Sequence, residues 1–86
     1  MKLIETEPFR KSFRKLPKSI QKKVPRRFAF LYKNFLHPSL HIEKLEPRQK
    51  NIWSFRIDKQ YRVIFTWGPD TLVLLDIGPH DIYRKH

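Results

Sequence analysis

The side chains best suited to chemistry lie in the C-terminal half of the chain. Arg56 and Arg62 fall in two consecutive segments in which apolar and polar residues alternate. His80 follows the last apolar segment, and Tyr83 comes three residues later. An imidazole can accept or donate a proton near neutral pH, and guanidinium groups can stabilise a negatively charged phosphorane. Together these groups could cleave RNA through its ribose 2′-hydroxyl without a metal ion.

The pairing of the two alternating segments decides whether the arginines meet. A three-residue loop would pair Ile57 with Tyr61 and make Arg56 and Arg62 direct neighbours. Pairing Ile57 with Arg62 instead would scramble the apolar face. Burial therefore predicts the first register, with the arginines on the open face. The opposite face would then carry Trp53, Phe55, Val63 and Phe65.

Two neighbouring arginines are unfavourable unless an anion lies between them, so this register indicates an anion site. The alternative is a pair of solvated arginines that splay apart. In an antiparallel meander, the end of the last strand at Ile77 approaches the start of the middle strand near Arg62. An imidazole at His80 could then share a concave basic site with Arg62. A histidine that only caps the turn is the alternative, and His41 and His86 are the fallback acid–base candidates.

Two amphipathic helices are expected to cover the apolar face. Apolar residues recur at helical spacing in both segments, with basic residues opposite. Thr6 or Glu7, followed by Pro8, is typical of a helix start, and Ser19 is a plausible cap for the second helix. Pro25 predicts a kink near residues 21–24, or a break of that helix into two pieces. The apolar stripes are Phe9, Phe13, Leu16, then Ile20, Val24, Phe28, Leu31 and Phe35.

The order of elements predicts an α+β fold in a single domain, residues 1–86. Residues 2–5 are a candidate first strand. An N-terminal helical hairpin is then expected to pack on one face of a small antiparallel β-sheet. Residues 80–86 follow the last strand as a polar tail.

The net charge of +11 favours a polyanionic partner. A basic surface kept for solubility is the alternative. Exposed cations on the helices and nearby are predicted to contact RNA phosphates without reading the base sequence. These are Lys22, Lys23, Arg26, Arg27 and Lys44.

Several classes of function have no support in the sequence. The chain has no cysteine, its four histidines match no zinc-binding spacing, and no phosphate loop or other cofactor motif is present. We therefore expect neither a metal nor a cofactor. No apolar run approaches the ~20 residues of a membrane span, and no signal peptide is visible. A reducing cytoplasm is the expected location, with no membrane partner.

Three segments resemble the RelE/ParE toxin superfamily. They are "FRKSFRKLPKSIQKKV", "IWSFRIDKQYRVIF" and "LLDIGPHDIYRKH", which are spread in this order from residue 9 to residue 86. The resemblance implies two N-terminal helices packed on an antiparallel sheet. In the RelE branch it implies cleavage of mRNA in the ribosomal A site; in the ParE branch it implies inhibition of DNA gyrase without RNA cleavage.

The resemblance also implies roles for particular residues. Arg62 matches the family's phosphate-binding arginine, and Arg56 falls where the RelE branch carries a basic residue. Ser54 stands where some members carry a lysine that is one proposed base. His80 occupies a position where family members carry arginine or histidine. Tyr83 matches an aromatic residue that in some members stacks on the target base.

Three hypotheses follow from the residues and the resemblance. The first is a ribosome-dependent endoribonuclease toxin, neutralised by a partly acidic antitoxin that folds on binding. The second is a ParE-like protein that binds gyrase, and the third is a family member that only binds nucleic acid. Pro25 and Pro79 depart from the family pattern, and Pro79 could change how His80 is presented.

Overall fold

A five-stranded sheet in the order β1-β5-β4-β3-β2 carries two helices. This computed structural model describes residues 2–47 and 50–85, with side chains described for 2–47 and 50–82. The strands are β1 (Lys2–Glu5), β2 (Glu43–Lys44), β3 (Ile52–Arg56), β4 (Tyr61–Trp67) and β5 (Thr71–Pro79). The helices are α1 (Glu7–Arg14) and α2 (Lys18–Asn34), and short 3-10 helices span Pro38–Leu40 and His80–Lys85.

The predicted α+β fold and its helical hairpin are confirmed. The sheet is mixed, however, because β1 pairs in parallel with β5, from Lys2 opposite Thr71 to Glu5 opposite Leu74. The other pairings are antiparallel. The chain leaves β1 through the two helices, and this long connection allows β1 to lie parallel to a strand that comes much later.

Helix α1 begins where the sequence indicates. The Oγ1 atom of Thr6 accepts a hydrogen bond from the N–H of Phe9 at 3.3 Å, which caps the first turn. The same hydroxyl donates to the carbonyl oxygen of Leu74 at 2.7 Å. One side chain therefore ties the start of α1 to the interior strand β5.

Helix α2 differs from the prediction in its cap, and of the two outcomes predicted at Pro25 it does not show the break. Pro17, not Ser19, is the residue before its first turn, and no side chain caps it. The helix also continues through Pro25 without a break. A proline inside a helix costs about 3 kcal/mol, and burial of Val24 and Leu31 on the sheet side offsets this cost.

The main core lies between the helices and one face of the sheet. Aromatic rings connect the layers, since Phe28 contacts Phe9 at 6.4 Å and Phe55 at 5.8 Å between ring centroids. Further buried members are Leu16, Ile20, Leu40, Ile57, Val63, Phe65, Leu72 and Ile77. Among the described helices, none is long and apolar enough to cross a membrane.

A β-bulge keeps strand β5 in register with this core. Ile64 pairs with Asp76, whereas the next residue, Phe65, pairs with Leu74. Leu75 is therefore the extra residue. The bulge allows Leu74 and Ile77 both to face the helices although three positions separate them, and both are at most 2% exposed.

Candidate anion and acid–base site

The β3–β4 hairpin has the predicted register. Arg56 lies opposite Arg62 and Phe55 opposite Val63, and the N–H of Ile57 donates to the carbonyl oxygen of Tyr61 at 2.9 Å. Because cross-strand partners share a face, the two arginines lie on the sheet face away from the helices. Phe55 and Val63 lie on the helix-covered face.

Asp58 holds the turn that sets this register. Its Oδ1 atom accepts hydrogen bonds from the N–H groups of Gln60 at 2.8 Å and Tyr61 at 2.9 Å. Its Oδ2 atom pairs with the Lys23 ammonium at 3.1 Å. Burial raises the pKa of Asp58, but these hydrogen bonds and the charge of Lys23 outweigh burial and leave the pKa below its ordinary value. The carboxylate is thus stabilised as an anion between the turn and α2.

The arginine face is not open, which corrects the expectation from the sequence. Arg62 is 5% exposed, and its strand neighbour Ile64 is fully buried. Gly78 lies opposite Arg62, and a Cβ atom at Gly78 would meet the Cδ1 atom of Ile82 at 3.0 Å. Ile82 therefore packs over this face beside Arg62. The physical reason is that residues 80–85 form a 3-10 helix that folds back on the sheet, where a polar tail was expected.

Arg27 joins α2 to the end of β3. Its Nε donates to the carbonyl oxygen of Arg56 at 3.3 Å, and its NH2 group donates to the carbonyl oxygen of Ser39 at 3.0 Å. The guanidinium also lies 5.4 Å from the centre of the Phe30 ring. Burial lowers the pKa of Arg27, and the positive charge of Arg56 lowers it further. Arg27 thus holds elements together, and it adds positive charge beside Arg56.

His80 borders a cleft at this end of the sheet. The cleft has a volume of about 480 Å³ and lies between the β3–β4 turn and the end of β5. Arg62 pairs with Gly78, and the next pair along the two strands is Tyr61 with Pro79. His80 is the residue that follows Pro79. The imidazole is exposed. Of the described residues, the lining includes His80 and Asp81 but neither arginine of the pair.

The other candidate residues fall in several places. Lys22, Lys23 and Arg26 are exposed along α2, in the helical layer. Lys44 pairs with Trp53 across β2 and β3, which puts it on the helix-covered face of the sheet, away from the arginine pair. Ser54 is fully buried on the arginine face.

Two candidates fall where the structure gives no side-chain description. The backbone of Tyr83 belongs to the C-terminal 3-10 helix, and its side chain lies outside the described residues. His86 lies wholly outside them. His41 is exposed at the other end of the molecule, beyond the 3-10 helix Pro38–Leu40. Among the described residues, no group of three or more histidine, aspartate or glutamate side chains could hold a metal ion.

Three residues that position the site were not singled out from the sequence. Asp58 fixes the turn, and aspartate at the start of a short polar loop is a recognisable turn signal. Gly78 leaves room for Ile82, and a glycine near the end of an apolar strand indicates a close approach of this kind. Ile82 is an isolated apolar residue in a polar segment, a pattern with no clear signal in sequence.

The helical hairpin and the five-stranded mixed sheet form the α+β fold of RelE-like toxins. The family model described as "RelE-like toxin of type II toxin-antitoxin system HigB" matches residues 8–80. The chain therefore belongs to this HigB-like family of RelE-like toxins, and the resemblance to the RelE/ParE superfamily is confirmed. The matched range includes Arg56, Arg62 and His80 but ends before Tyr83.

Solved structures share the fold at low sequence identity. YafQ from E. coli strain BL21(DE3) has a TM-score of 0.75 and 14% identity, with 92% of each chain covered. The RelBE2 toxin–antitoxin complex from Mycobacterium tuberculosis has a TM-score of 0.70 and 24% identity, covering 92% of this chain and 96% of the other. The YoeB dimer from Staphylococcus aureus has a TM-score of 0.72 and 17% identity, covering 93% and 97%.

A curated relative matches over a shorter range. It is an uncharacterized protein from Haemophilus influenzae, 40% identical over 43 residues. The match covers 50% of this chain and 43% of the relative, so it spans less than half of that protein's length.

Proposed function

We propose that this member of the RelE-like family acts as the toxin of a type II toxin–antitoxin system and cleaves mRNA on the ribosome. The observation that carries the proposal is the register of β3, β4 and β5. It sets Arg56 opposite Arg62, sets Gly78 opposite Arg62, and brings His80 to the same end of the sheet. Such activity would be exerted in the cytoplasm.

In the proposed reaction, His80 handles the proton transfers. The ribose 2′-oxygen attacks the neighbouring phosphorus as its proton leaves, and the bond to the 5′-oxygen breaks as that oxygen gains a proton. Arg62 and Arg56 stabilise the charge that grows on the phosphoryl oxygens. Tyr83 stacks on the target base. The products are a 2′,3′-cyclic phosphate and a 5′-hydroxyl.

Access to Arg62 depends on the C-terminal 3-10 helix. Ile82 packs against Gly78 beside Arg62, and Arg62 is only 5% exposed in the free protein. We propose that this contact opens when RNA occupies the cleft beside His80. A single isoleucine side chain is a small contact, and burial of one such side chain is worth about 1.5–3 kcal/mol.

Exposed cations on α2 supply affinity for the ribosome or RNA rather than chemistry. Lys22 and Arg26 are exposed, and Lys23 is partly engaged by Asp58. Phosphate contacts of this kind stabilise binding without sequence readout. Arg27 is set apart from this group because its hydrogen bonds go to main-chain carbonyls.

The partner in this proposal is an acidic antitoxin. Among the proteins with this fold, RelBE2 from M. tuberculosis and DinJ–YafQ from E. coli are toxin–antitoxin complexes. The charge of +11 on 86 residues favours an acidic segment as the complement here. An affinity that falls as salt rises supports this contact, and an affinity that ignores salt contradicts it.

The function is tested by inducing the protein in cells and mapping the 5′ ends of mRNA. We expect new ends inside translated codons with the wild type and with Lys33→Ala, an exposed change in the last turn of α2, at the end of the helix away from His80. His80→Ala should yield no such ends although the protein accumulates. Growth arrest without cleavage in the wild type would overturn the proposal, and loss of gyrase activity in the same cells would support the ParE-like alternative.

A further inference from the structure

A second pocket lies at the opposite end of the sheet from His80. It has a volume of about 510 Å³, within the range of small-ligand sites, and both tryptophans of the chain line it. Trp53 belongs to β3 and Trp67 ends β4. Phe35 and His37, from the connection after α2, complete the aromatic wall.

The aromatic rings are held in place before any ligand arrives. The two indoles meet edge to face with centroids 5.0 Å apart, and Phe35 meets Trp67 at 5.5 Å. The indole N–H of Trp53 donates to the Oδ1 atom of Asn51 at 2.8 Å, and the side-chain amide of Asn51 donates to the carbonyl oxygen of Trp67 at 2.9 Å. Asn51 thus fixes both strand ends. A preorganised wall lowers the entropy cost of binding.

The charged side chains near the pocket favour an anionic ligand. Lys44 lies opposite Trp53 in the sheet, and its ammonium is 5.5 Å from the centre of that indole ring. His41 lines the pocket and is exposed. Of the described residues that line the pocket, none carries a carboxylate. Glu43, the adjacent residue of β2, pairs with Ser54 and therefore lies on the other face of the sheet.

We propose that this pocket binds a nucleotide. The planar base would stack on one indole and meet the edge of the other, since the planes of Trp53 and Trp67 cross at 71°, and the phosphate would lie near the Lys44 ammonium. His37 adds a donor for the base, because its Nδ1 atom accepts from the N–H of Ser39 at 3.1 Å, which leaves the proton of the neutral ring on Nε2. Stacking of bases on aromatic side chains beside cations is a common mode of nucleotide and single-strand recognition.

The nucleotide can come from two sources, and the pocket chemistry is the same for both. One source is a free mononucleotide, and the other is an unstacked base of single-stranded RNA. The pocket is separate from the cleavage site, since Trp67 and Arg62 are five residues apart on β4, a span of roughly 17 Å. Binding here therefore does not depend on catalysis by His80.

The test is a titration of the wild-type protein followed by intrinsic fluorescence. Because both tryptophans line the pocket, their emission reports on it directly. We expect AMP, GMP, CMP or UMP, or a single-stranded RNA hexamer, to quench the emission with saturation. Binding of the hexamer alone would identify RNA as the source, and binding of a mononucleotide would identify the free ligand. The shift of the Trp53 indole N–H in an NMR spectrum provides the same readout if the emission does not change.

Lys44→Glu separates phosphate binding from base stacking. It should weaken binding of AMP about 10-fold while binding of adenosine is unchanged, because only AMP carries a phosphate. Lys18→Glu makes the same charge change at the far end of α2 and should leave both affinities as in the wild type. Absence of saturable binding by both readouts would overturn the proposal. Equal losses of AMP affinity in Lys44→Glu and Lys18→Glu would also overturn it. So would emission changes that depend on protein concentration alone, because they would indicate self-association through Leu36, which is 76% exposed.

Discussion

Phe55 and Arg56 are neighbours in β3, yet they lie on opposite faces of the sheet and in different chemical environments. Phe55 is fully buried, with Phe28 and Phe65 each 5.8 Å away between ring centroids. Arg56 is half-buried opposite Arg62, and its positive charge acts on Arg27. One face is filled by apolar side chains, and the other brings like charges together.

The difference shows where stability and function divide. Burial of aromatic rings stabilises the fold, whereas close guanidinium groups oppose it unless an anion is bound. Local sequence conflicts of this kind are expected at functional sites. The helix-covered face therefore maintains the hairpin register, and that register holds the arginines in place on the other face.

The largest effect is expected from the apolar face. Phe55→Ala should lower the free energy of unfolding by about 3–5 kcal/mol, because it removes a buried ring and leaves a cavity. Urea denaturation measures this value. A loss below about 1 kcal/mol would show that the face is less closely packed than the ring contacts indicate.

Arg56→Gln, one residue away, is the matched comparison. It should change the free energy of unfolding by no more than about 1 kcal/mol, since lost contacts are offset by weaker repulsion of Arg27 and Arg62. Cleavage of mRNA should fall in the same variant. A large loss of stability would contradict the division between the two faces.

A smaller effect is expected where the C-terminal 3-10 helix covers the arginine face. In Gly78→Ala the new Cβ would lie 3.0 Å from Ile82, so Ile82 must move and the protein should lose about 1–2 kcal/mol. Gly68→Ala is the matched control, because its Cβ would meet only the Thr71 carbonyl oxygen at an ordinary 3.5 Å. Equal melting temperatures for the two variants would show that Ile82 does not pack closely on β5.

A further small effect concerns the turn that sets the register. Asp58→Asn should cost about 1 kcal/mol near neutral pH, because the charged partner of Lys23 is lost. The folded-state pKa of Asp58 is lowered, so its contribution is complete above the ordinary pKa of about 4 and disappears as pH falls through the depressed value. Wild type and Asp58→Asn should therefore converge in stability at acid pH. A difference that grows on acidification would contradict this account of the turn.

Much of the fold could be predicted because the burial of apolar residues decides between the possible strand registers. The three-residue loop after Ile57 keeps the apolar residues of β3 and β4 on one face, and the structure has that loop. The parallel position of β1 and the bulge at Leu75 could not be predicted, since residues 71–77 are apolar at nearly every position and show no alternation. The continuity of α2 through Pro25 depends on tertiary contacts of Val24 and Leu31 that local propensity does not contain.

The strand pairing at the candidate site could be predicted from the sequence, but the packing of the C-terminal 3-10 helix over it could not. The sequence predicts that Arg56 faces Arg62 and that the end of β5 approaches them. It did not predict that Ile82 would fold back over Gly78, because a single apolar residue in a polar segment has no periodicity to interpret. The roles of His80 and Tyr83 in chemistry stay predictions.

The proposed reaction depends above all on proton transfer by His80 at the end of the sheet where the arginines meet. The most direct test is the single-turnover rate of mRNA cleavage on saturating ribosomes, measured for the wild type, His80→Ala and Lys22→Ala. We expect a loss of about 10²–10⁴-fold for His80→Ala at unchanged thermal stability, and little change in rate for Lys22→Ala, which should affect only ribosome affinity. Full cleavage by His80→Ala would contradict a role of His80 in proton transfer.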